Sequence, residues 1–304
     1  MLRKLKKINH LIKKKYNYQL LENGFSNSDI AIGKKVLDSK RITMASYTRN
    51  FENSFAKKLG VSHALMVNSG SSANLLAVFA AGNLLRKNRL KMNDEVLIPV
   101  LCWSTSLWPL VQFGLKPKFV DINMNNLCMD QDQLISAINS KTKAVFLTHA
   151  QGFNGLNTKI LNELKKRKIH LIEDVCESHG ANFGKKKLGN FGYMSNFSFY
   201  YAHHMSTIEG GMICTNDKKI YEIIRILRGH GLLRESGNKK FENKIKKKYN
   251  KLSPNFIFLY PGFNMRNNEI QAVIGINQLK RLDSNNKKRA KNFEFFLSKL
   301  NKNK

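Results

Sequence analysis

Phe197-Ser198-Phe199-Tyr200-Tyr201-Ala202-His203-His204-Met205-Ser206-Thr207-Ile208-Glu209-Gly210-Gly211-Met212-Ile213-Cys214-Thr215 is the stretch on which the reading of this chain turns. The apolar, aromatic run from Phe197 to Tyr201 predicts a strand, and Gly211–Thr215 predicts another. Between them lies a polar loop with paired histidines, closed by Gly-Gly. Such a loop between two buried strands marks a place where backbone and side chains serve something other than the core.

Outward from that point, apolar runs alternate with helical patterns. Strands are expected at Ala64–Val67, Glu95–Val100, Lys118–Ile122, Ala144–Thr148 and His170–Glu173, ahead of the two just named. Helices are expected at Asp29–Ser39, Tyr47–Leu59, Ser71–Leu85, Trp103–Phe113, Met129–Ile138, Thr158–Arg167, Ile220–Gly229 and Ile270–Leu282. Nearly continuous Val/Ile/Leu/Phe strands alternating with helices define an α/β class, a mostly parallel sheet with helices on both faces. The lysine- and asparagine-rich segment 238–251 reads as a mobile loop.

Composition narrows the class further. The chain has 304 residues, 42% of them hydrophobic, which suits a globular protein with one large domain and part of another. No segment reads as a membrane span: the most apolar stretch, Val96 to Leu115, is broken by Pro99 and Pro109. No signal peptide is expected, because the lysine-rich N-terminus lacks an apolar core behind it. Cys102, Cys128, Cys176 and Cys214 are widely separated, with neither metal nor disulfide spacing, which points to a reducing, cytoplasmic setting and no metal site. The formal net charge is +31. Its lysines are spread along the whole chain, and no helix-turn-helix, zinc-finger or RNA-sheet pattern accompanies them, so a nucleic-acid partner is not expected. A basic surface would still steer an anionic substrate.

Two junctions carry the chemistry. Asn68-Ser69-Gly70-Ser71-Ser72-Ala73-Asn74 ends a strand and opens a helix, where backbone N–H groups and hydroxyls can meet a phosphate at the positive helix end; an ordinary helix cap would look the same. Ile172-Glu173-Asp174 ends a strand, and the carboxyl ends of strands in an open parallel sheet face the ligand crevice.

These residues together resemble the DegT/DnrJ/EryC1/StrS sugar aminotransferase family of pyridoxal-phosphate (PLP) enzymes. The resemblance runs from about Ser28 to Leu282. The family carries Ser-Phe-x-x-x-Lys followed by Glu-Gly-Gly, and its lysine bonds covalently to PLP; here that position is His203, six residues before Glu209. The resemblance implies the fold type I large domain and PLP or its pyridoxamine form (PMP) as cofactor. It places Gly70, Ser71 and Ser198 at the cofactor phosphate, Trp103 on the cofactor ring and Asp174 at the pyridine nitrogen. Asn264, in Phe263-Asn264-Met265-Arg266, would reach the phosphate of the neighbouring subunit, which implies a homodimer with shared sites.

Histidine at the lysine position is similar to the 3-dehydratase branch, which acts on nucleotide-linked 4-keto-6-deoxyhexoses. An imidazole moves protons but makes no lasting covalent bond to the cofactor, so His203 is the expected base, with Tyr200 and Glu177 also suiting that branch. The resemblance further implies a GDP-linked sugar, glutamate or a similar amino donor, and a product for O-antigen lipopolysaccharide. The CDP-sugar relatives carry an iron–sulfur cluster on four cysteines; Cys176 matches the first, but none follows Arg228 in Gly229–Ser236, so no cluster is expected. Two other outcomes stay open. One is an aminotransferase whose lysine comes from elsewhere in the fold, since none lies between Leu188 and Thr215; the other is a truncated subunit without turnover. The expected organisation is an N-terminal arm at 1–27, the PLP-binding domain at 28–282, and at 283–304 the start of a small C-terminal domain that is largely missing.

Overall fold

The structure, a computed structural model, describes residues 24–300. Most of the N-terminal arm expected at 1–27, and the last four residues of the 283–304 segment, lie outside the described residues.

A seven-stranded sheet forms the centre. Its strands are β1 (His63–Val67), β2 (Glu95–Pro99), β3 (Lys116–Val120), β4 (Thr142–Thr148), β5 (His170–Asp174), β8 (Met194–Ser198) and β9 (Gly211–Thr215), in the spatial order β1-β9-β8-β5-β4-β2-β3. Neighbours from β8 through β3 run parallel, whereas β9 runs antiparallel to both β8 and β1. The expected mostly parallel sheet is therefore present, with one reversed strand. A two-residue hairpin, β6 (Asn182–Phe183) with β7 (Lys186–Lys187), stands apart.

Alternation along the strands explains why both faces are covered. Leu65, Val67, Val96, Ile98, Ala144, Phe146 and Ile213 point into one core. There they meet α3 (Gly70–Ala81), α4 (Ser104–Gln112) and α7 (Lys218–Arg228) through Leu76, Ala77, Leu110, Ile220 and Ile224. Met66, Leu97, Val145, Leu147 and Phe197 point into the other, against α2 (Ser46–Leu59), α5 (Gln131–Ala137), α6 (Thr158–Arg167) and α9 (Glu269–Leu300). The remaining helix of the N-terminal pair, α1 (Asn27–Asp38), is held to α9 by Arg281, whose guanidinium donates to Asp29 at 2.7 Å.

Two expectations from the sequence do not hold. The segment read as a mobile loop contains α8 (Lys239–Lys248). Asn238 caps it by accepting from the Phe241 N–H, and the buried Glu242 accepts from Ser236 while pairing with Lys239. Composition counts the lysines as solvating charge; the structure uses two of them one turn from a single carboxylate. The strand expected at Phe197–Tyr201 lies instead at Met194–Ser198, because pairing with β9 ends at Ser198 opposite Gly211. Phe199 stays buried, and Tyr200 and Tyr201 turn outward.

The entry of α2 shows how distant sequence completes local structure. Its cap position, Ala45, has no side-chain acceptor. Glu269, at the start of α9, accepts instead from the N–H groups of Ala45, Tyr47 and Thr48 and from the Thr48 hydroxyl at 2.7–2.9 Å. Burial alone would raise this carboxyl's pKa, but the Thr48, Ala45 and Tyr47 donors outweigh it and hold the group below its ordinary value. Stability from Glu269 is thus present above the unfolded pKa and is lost as pH falls through the lower folded one. Glu269→Ala is expected to cost about 2–4 kcal/mol by orphaning these buried donors, read as a lower urea midpoint at unchanged slope; an unchanged midpoint would contradict the capping role.

Candidate active site

The carboxyl ends of β1, β2, β4, β5 and β8 open on one edge of the sheet, where Glu209 just ahead of β9 joins them. They surround a cavity of about 820 Å³, within the usual range for a small-molecule site. Of the residues singled out from sequence, Gly70, Ser71, Trp103, Asp174, Glu177, Ser198, Tyr200 and His203 all line it. Asn264 does not; its carboxamide oxygen accepts from Arg266 Nε at 3.2 Å on the chain's own surface.

At one end, α3 points its first turn at the cavity. Ser69 caps the helix by accepting from the Ser72 N–H at 3.0 Å. The walls touch closely here: a Cβ on Gly70 would lie 2.5 Å from Ser198 Cβ, and one on Gly211 2.3 Å from the Ser69 carbonyl oxygen. Only glycine permits both approaches. The result is a concave group of N–H and hydroxyl donors at a helix N-terminus, which fits a phosphate.

At the floor, Asp174 is 4% exposed. Its Oδ2 accepts from Ser106 Oγ at 2.9 Å and Asn74 Nδ2 at 3.2 Å, and its Oδ1 from the Cys176 N–H at 3.1 Å. These partners donate, and none among the described residues is a cation, so the carboxylate suits a protonated nitrogen from a ligand. Cys102 and Cys176 flank it as thiols: burial, then the charge of Asp174, pushes Cys102 up to about 11 and Cys176 well above its ordinary value. Trp103, 72% exposed, stands beside the cavity with its ring free to cover a planar ligand.

The loop between β8 and β9 is pinned at its base, where Phe199 N–H donates to the Gly210 carbonyl and Thr207 N–H to the Phe199 carbonyl. Ile208 is held at φ 74°, an uncommon conformation for a β-branched residue, in the same loop as His203. The His203 N–H donates to the Tyr200 carbonyl at 3.1 Å, and the Tyr200 ring meets the imidazole edge-on with centroids 6.0 Å apart. Burial lowers the His203 pKa, with Glu177 and Asp174 pulling the other way and Arg289 adding to the fall. A neutral imidazole able to accept a proton results. Glu177 is oriented by accepting from the Gln151 N–H at 3.0 Å. No lysine or arginine lines the cavity among the described residues.

Three functional candidates, and one histidine packed behind the cavity wall, were not singled out from sequence. Asn74 lay inside the quoted helix-opening motif without a role. Ser106 sits in a helix whose pattern gave no sign of it, and Thr148 closes an ordinary buried strand and lines the cavity with its hydroxyl unpaired. His179 stacks on His204 with rings 5.5 Å apart and 5° from parallel, and on His203 at 6.3 Å.

The sheet order, the helix at the phosphate-like cradle and the acid at the end of β5 define the large domain of a fold type I PLP enzyme. The chain belongs to the DegT/DnrJ/EryC1/StrS aminotransferase family, whose model matches residues 25–304. It is similar to a GDP-4-keto-6-deoxy-D-mannose 3-dehydratase of Escherichia coli O55:H7, 41% identical over 93% of this chain and 73% of that one. A protein of the same name from Yersinia pseudotuberculosis is 36% identical over 92% and 71%. The E. coli GDP-4-keto-6-deoxy-D-mannose-3-dehydratase structure with bound hydrated PLP superposes with a TM-score of 0.86 at 40% identity, covering 94% of this chain and 73% of that one. An aminotransferase of pseudoaminic acid biosynthesis from Helicobacter pylori reaches 0.74 at 26% identity, covering 88% and 66%.

The stacked histidines predict a pH response. Burial, then Arg289 and His203, holds His204 down to about 4, and burial puts His179 well below its ordinary value. Folded values under the unfolded one near 6.5 mean that the unfolded chain binds more protons between roughly pH 6.5 and 4. Stability therefore falls as pH drops through that window. In urea unfolding between about pH 7.5 and about 4.5, His204→Asn should show a shallower loss than the unsubstituted chain; an equal slope would contradict the assignment.

Proposed function

We propose that this chain is a PLP/PMP-dependent dehydratase that removes the C3 hydroxyl of a nucleotide-linked 4-keto-6-deoxyhexose, with GDP-4-keto-6-deoxy-D-mannose as substrate. The observation that carries the reading is His203: it stands in the cavity where the family's lysine would, and no lysine lines that cavity among the described residues. The same observation disfavours an aminotransferase with a relocated lysine. The 41% identical relative of that name supports the choice of substrate.

When bound, the cofactor supplies an electron sink through its protonated pyridine ring and an amino group for the sugar's 4-keto carbon. The chain's own residues do the rest. Gly70, Ser71 and Ser198 bind the phosphate through backbone and hydroxyl donors. Asp174 holds the proton on the ring nitrogen, and Trp103 covers the ring face and excludes water. His203, kept neutral by burial, would take a proton from the cofactor's methylene carbon and hand it to the departing C3 hydroxyl, which then leaves as water. Tyr200 packs edge-on against His203, and the charge of Glu177 favours its protonated form. Across the whole cycle the sugar loses its C3 oxygen, while glutamate is oxidised to 2-oxoglutarate and its nitrogen leaves as ammonia.

The cavity also bears on assembly. A GDP-sugar and a cofactor phosphate bring several negative charges, yet the lining offers Asp174, Glu177 and Glu209 and, among the described residues, no fixed cation. With Asn264 on the chain's surface, away from its own cavity, this supports a homodimer in which each subunit completes its neighbour's site. The predicted setting is the cytoplasm, in the pathway to a 3,6-dideoxyhexose of an O-antigen; no described helix is long and apolar enough to cross a membrane.

Borohydride reduction of the PLP-loaded protein, followed by peptide mass spectrometry, tests the reading. Retained PLP without a pyridoxyl adduct on any lysine is expected; a stoichiometric lysine adduct would move the assignment to an aminotransferase. His203→Asn should keep PLP affinity and lose turnover by about 10²–10⁴-fold, with turnover within twofold of the unsubstituted chain counting against its role.

A further inference from the structure

We infer that Ser106 and Asn74 are positioning residues for Asp174, fixing the rotation of its carboxylate so that its cavity-facing edge meets the cofactor's ring nitrogen. The inference rests on the cofactor reading above and goes beyond it, because neither residue belongs to the phosphate cradle or to the proton step at His203.

The geometry is specific. Ser106 is fully buried, Asn74 is 2% exposed and Asp174 4% exposed, and the three come from α4, α3 and the end of β5, 68 and 100 residues apart in sequence. Both side-chain donors converge on one oxygen, Oδ2, while the Cys176 N–H holds Oδ1. A carboxylate has about four acceptor sites. These donors hold three of them and the Cys176 thiol also bonds the carboxylate, which nevertheless lines the cavity.

Two features show that the donors are spent on the acid. A serine inside a helix commonly returns its hydroxyl to a carbonyl one turn back; Ser106 instead reaches across to another element. Asn74 gives its amide hydrogen to Asp174 and leaves its own Oδ1 buried without a partner. The alternative flip of that amide would set oxygen against oxygen, so the carboxylate itself determines the orientation. An orphaned buried acceptor is costly, and it is tolerated here on a side chain facing the cavity.

The same two helices also meet the other ends of the proposed cofactor. Trp103 is the cap residue of α4, and Gly70 and Ser71 open α3. Ring cover, phosphate cradle and acid orientation are therefore set by one pair of helix entries.

A double-mutant cycle separates positioning from a merely structural tie between helices and sheet. The full chain, Ser106→Ala, Asn74→Ala, Asp174→Asn and the two double variants are compared by PLP affinity from absorbance titration. The thermal midpoint without PLP and the ¹⁵N shift of ring-labelled PLP complete the comparison. Each single alanine variant should weaken PLP about tenfold, move the ring nitrogen toward its unprotonated shift and leave the cofactor-free midpoint nearly unchanged. In the Asp174→Asn background, either alanine should weaken PLP less than about twofold. Full additivity in that background overturns the inference, as does a lowered cofactor-free midpoint with unchanged PLP affinity and ring shift. An unsubstituted chain that fails to bind PLP overturns the cofactor reading itself, and this inference with it.

Discussion

Two glycines at the site leave no room for a side chain. Gly211 opens β9 against the carbonyl of Ser69, and Gly70 lies against Ser198, with no room for a Cβ at either place. That double approach brings the end of β1, the end of β8 and the first turn of α3 to one point. The cap at Ser69, the donors at Gly70 and Ser71 and the hydroxyl of Ser198 then face the same space. It also ends the β8–β9 ladder at Ser198 and Gly211, forcing the intervening residues out as the loop that carries His203. A larger side chain at either glycine would push the opening of α3 and the His203 loop apart together.

Electrostatics around the cavity follow a division of labour. The α3 end of the cavity offers dipoles and hydroxyls rather than fixed charge, and the buried acid Asp174 has donors but no cation among the described residues. His203 is kept neutral mainly by burial, next to a carboxylate that pulls the other way. A lysine in that place would capture the cofactor covalently, while a neutral imidazole leaves it free and moves protons. On the proposed reading, the chemistry thus shifts from transferring the amino group to using it transiently.

Much of this was legible in the sequence because it rests on local pattern. Alternating buried strands, the Ser-Gly-Ser-Ser helix opening, the acid at a strand end and the histidine before Glu-Gly-Gly are each readable within a few residues. What was not legible depends on contacts across the chain. Ser106 gains meaning only from an acid 68 residues later, and the entry of α2 is capped by Glu269 more than 220 residues away. His179 lies behind the cavity wall and meets the histidines of the β8–β9 loop only by stacking on them. The helix at Lys239–Lys248 was missed for a related reason: composition counts lysines, whereas the fold places two of them beside one buried glutamate.

The central claim is that the nitrogen brought by the amino donor is used and then lost. Its most direct test is to supply ¹⁵N-labelled glutamate with GDP-4-keto-6-deoxy-D-mannose and PLP, and to follow the label by NMR and mass spectrometry. The account predicts label in free ammonia, matched in amount by a nitrogen-free sugar nucleotide lacking the C3 oxygen. Label retained on C4 of a sugar that keeps its C3 hydroxyl would contradict it.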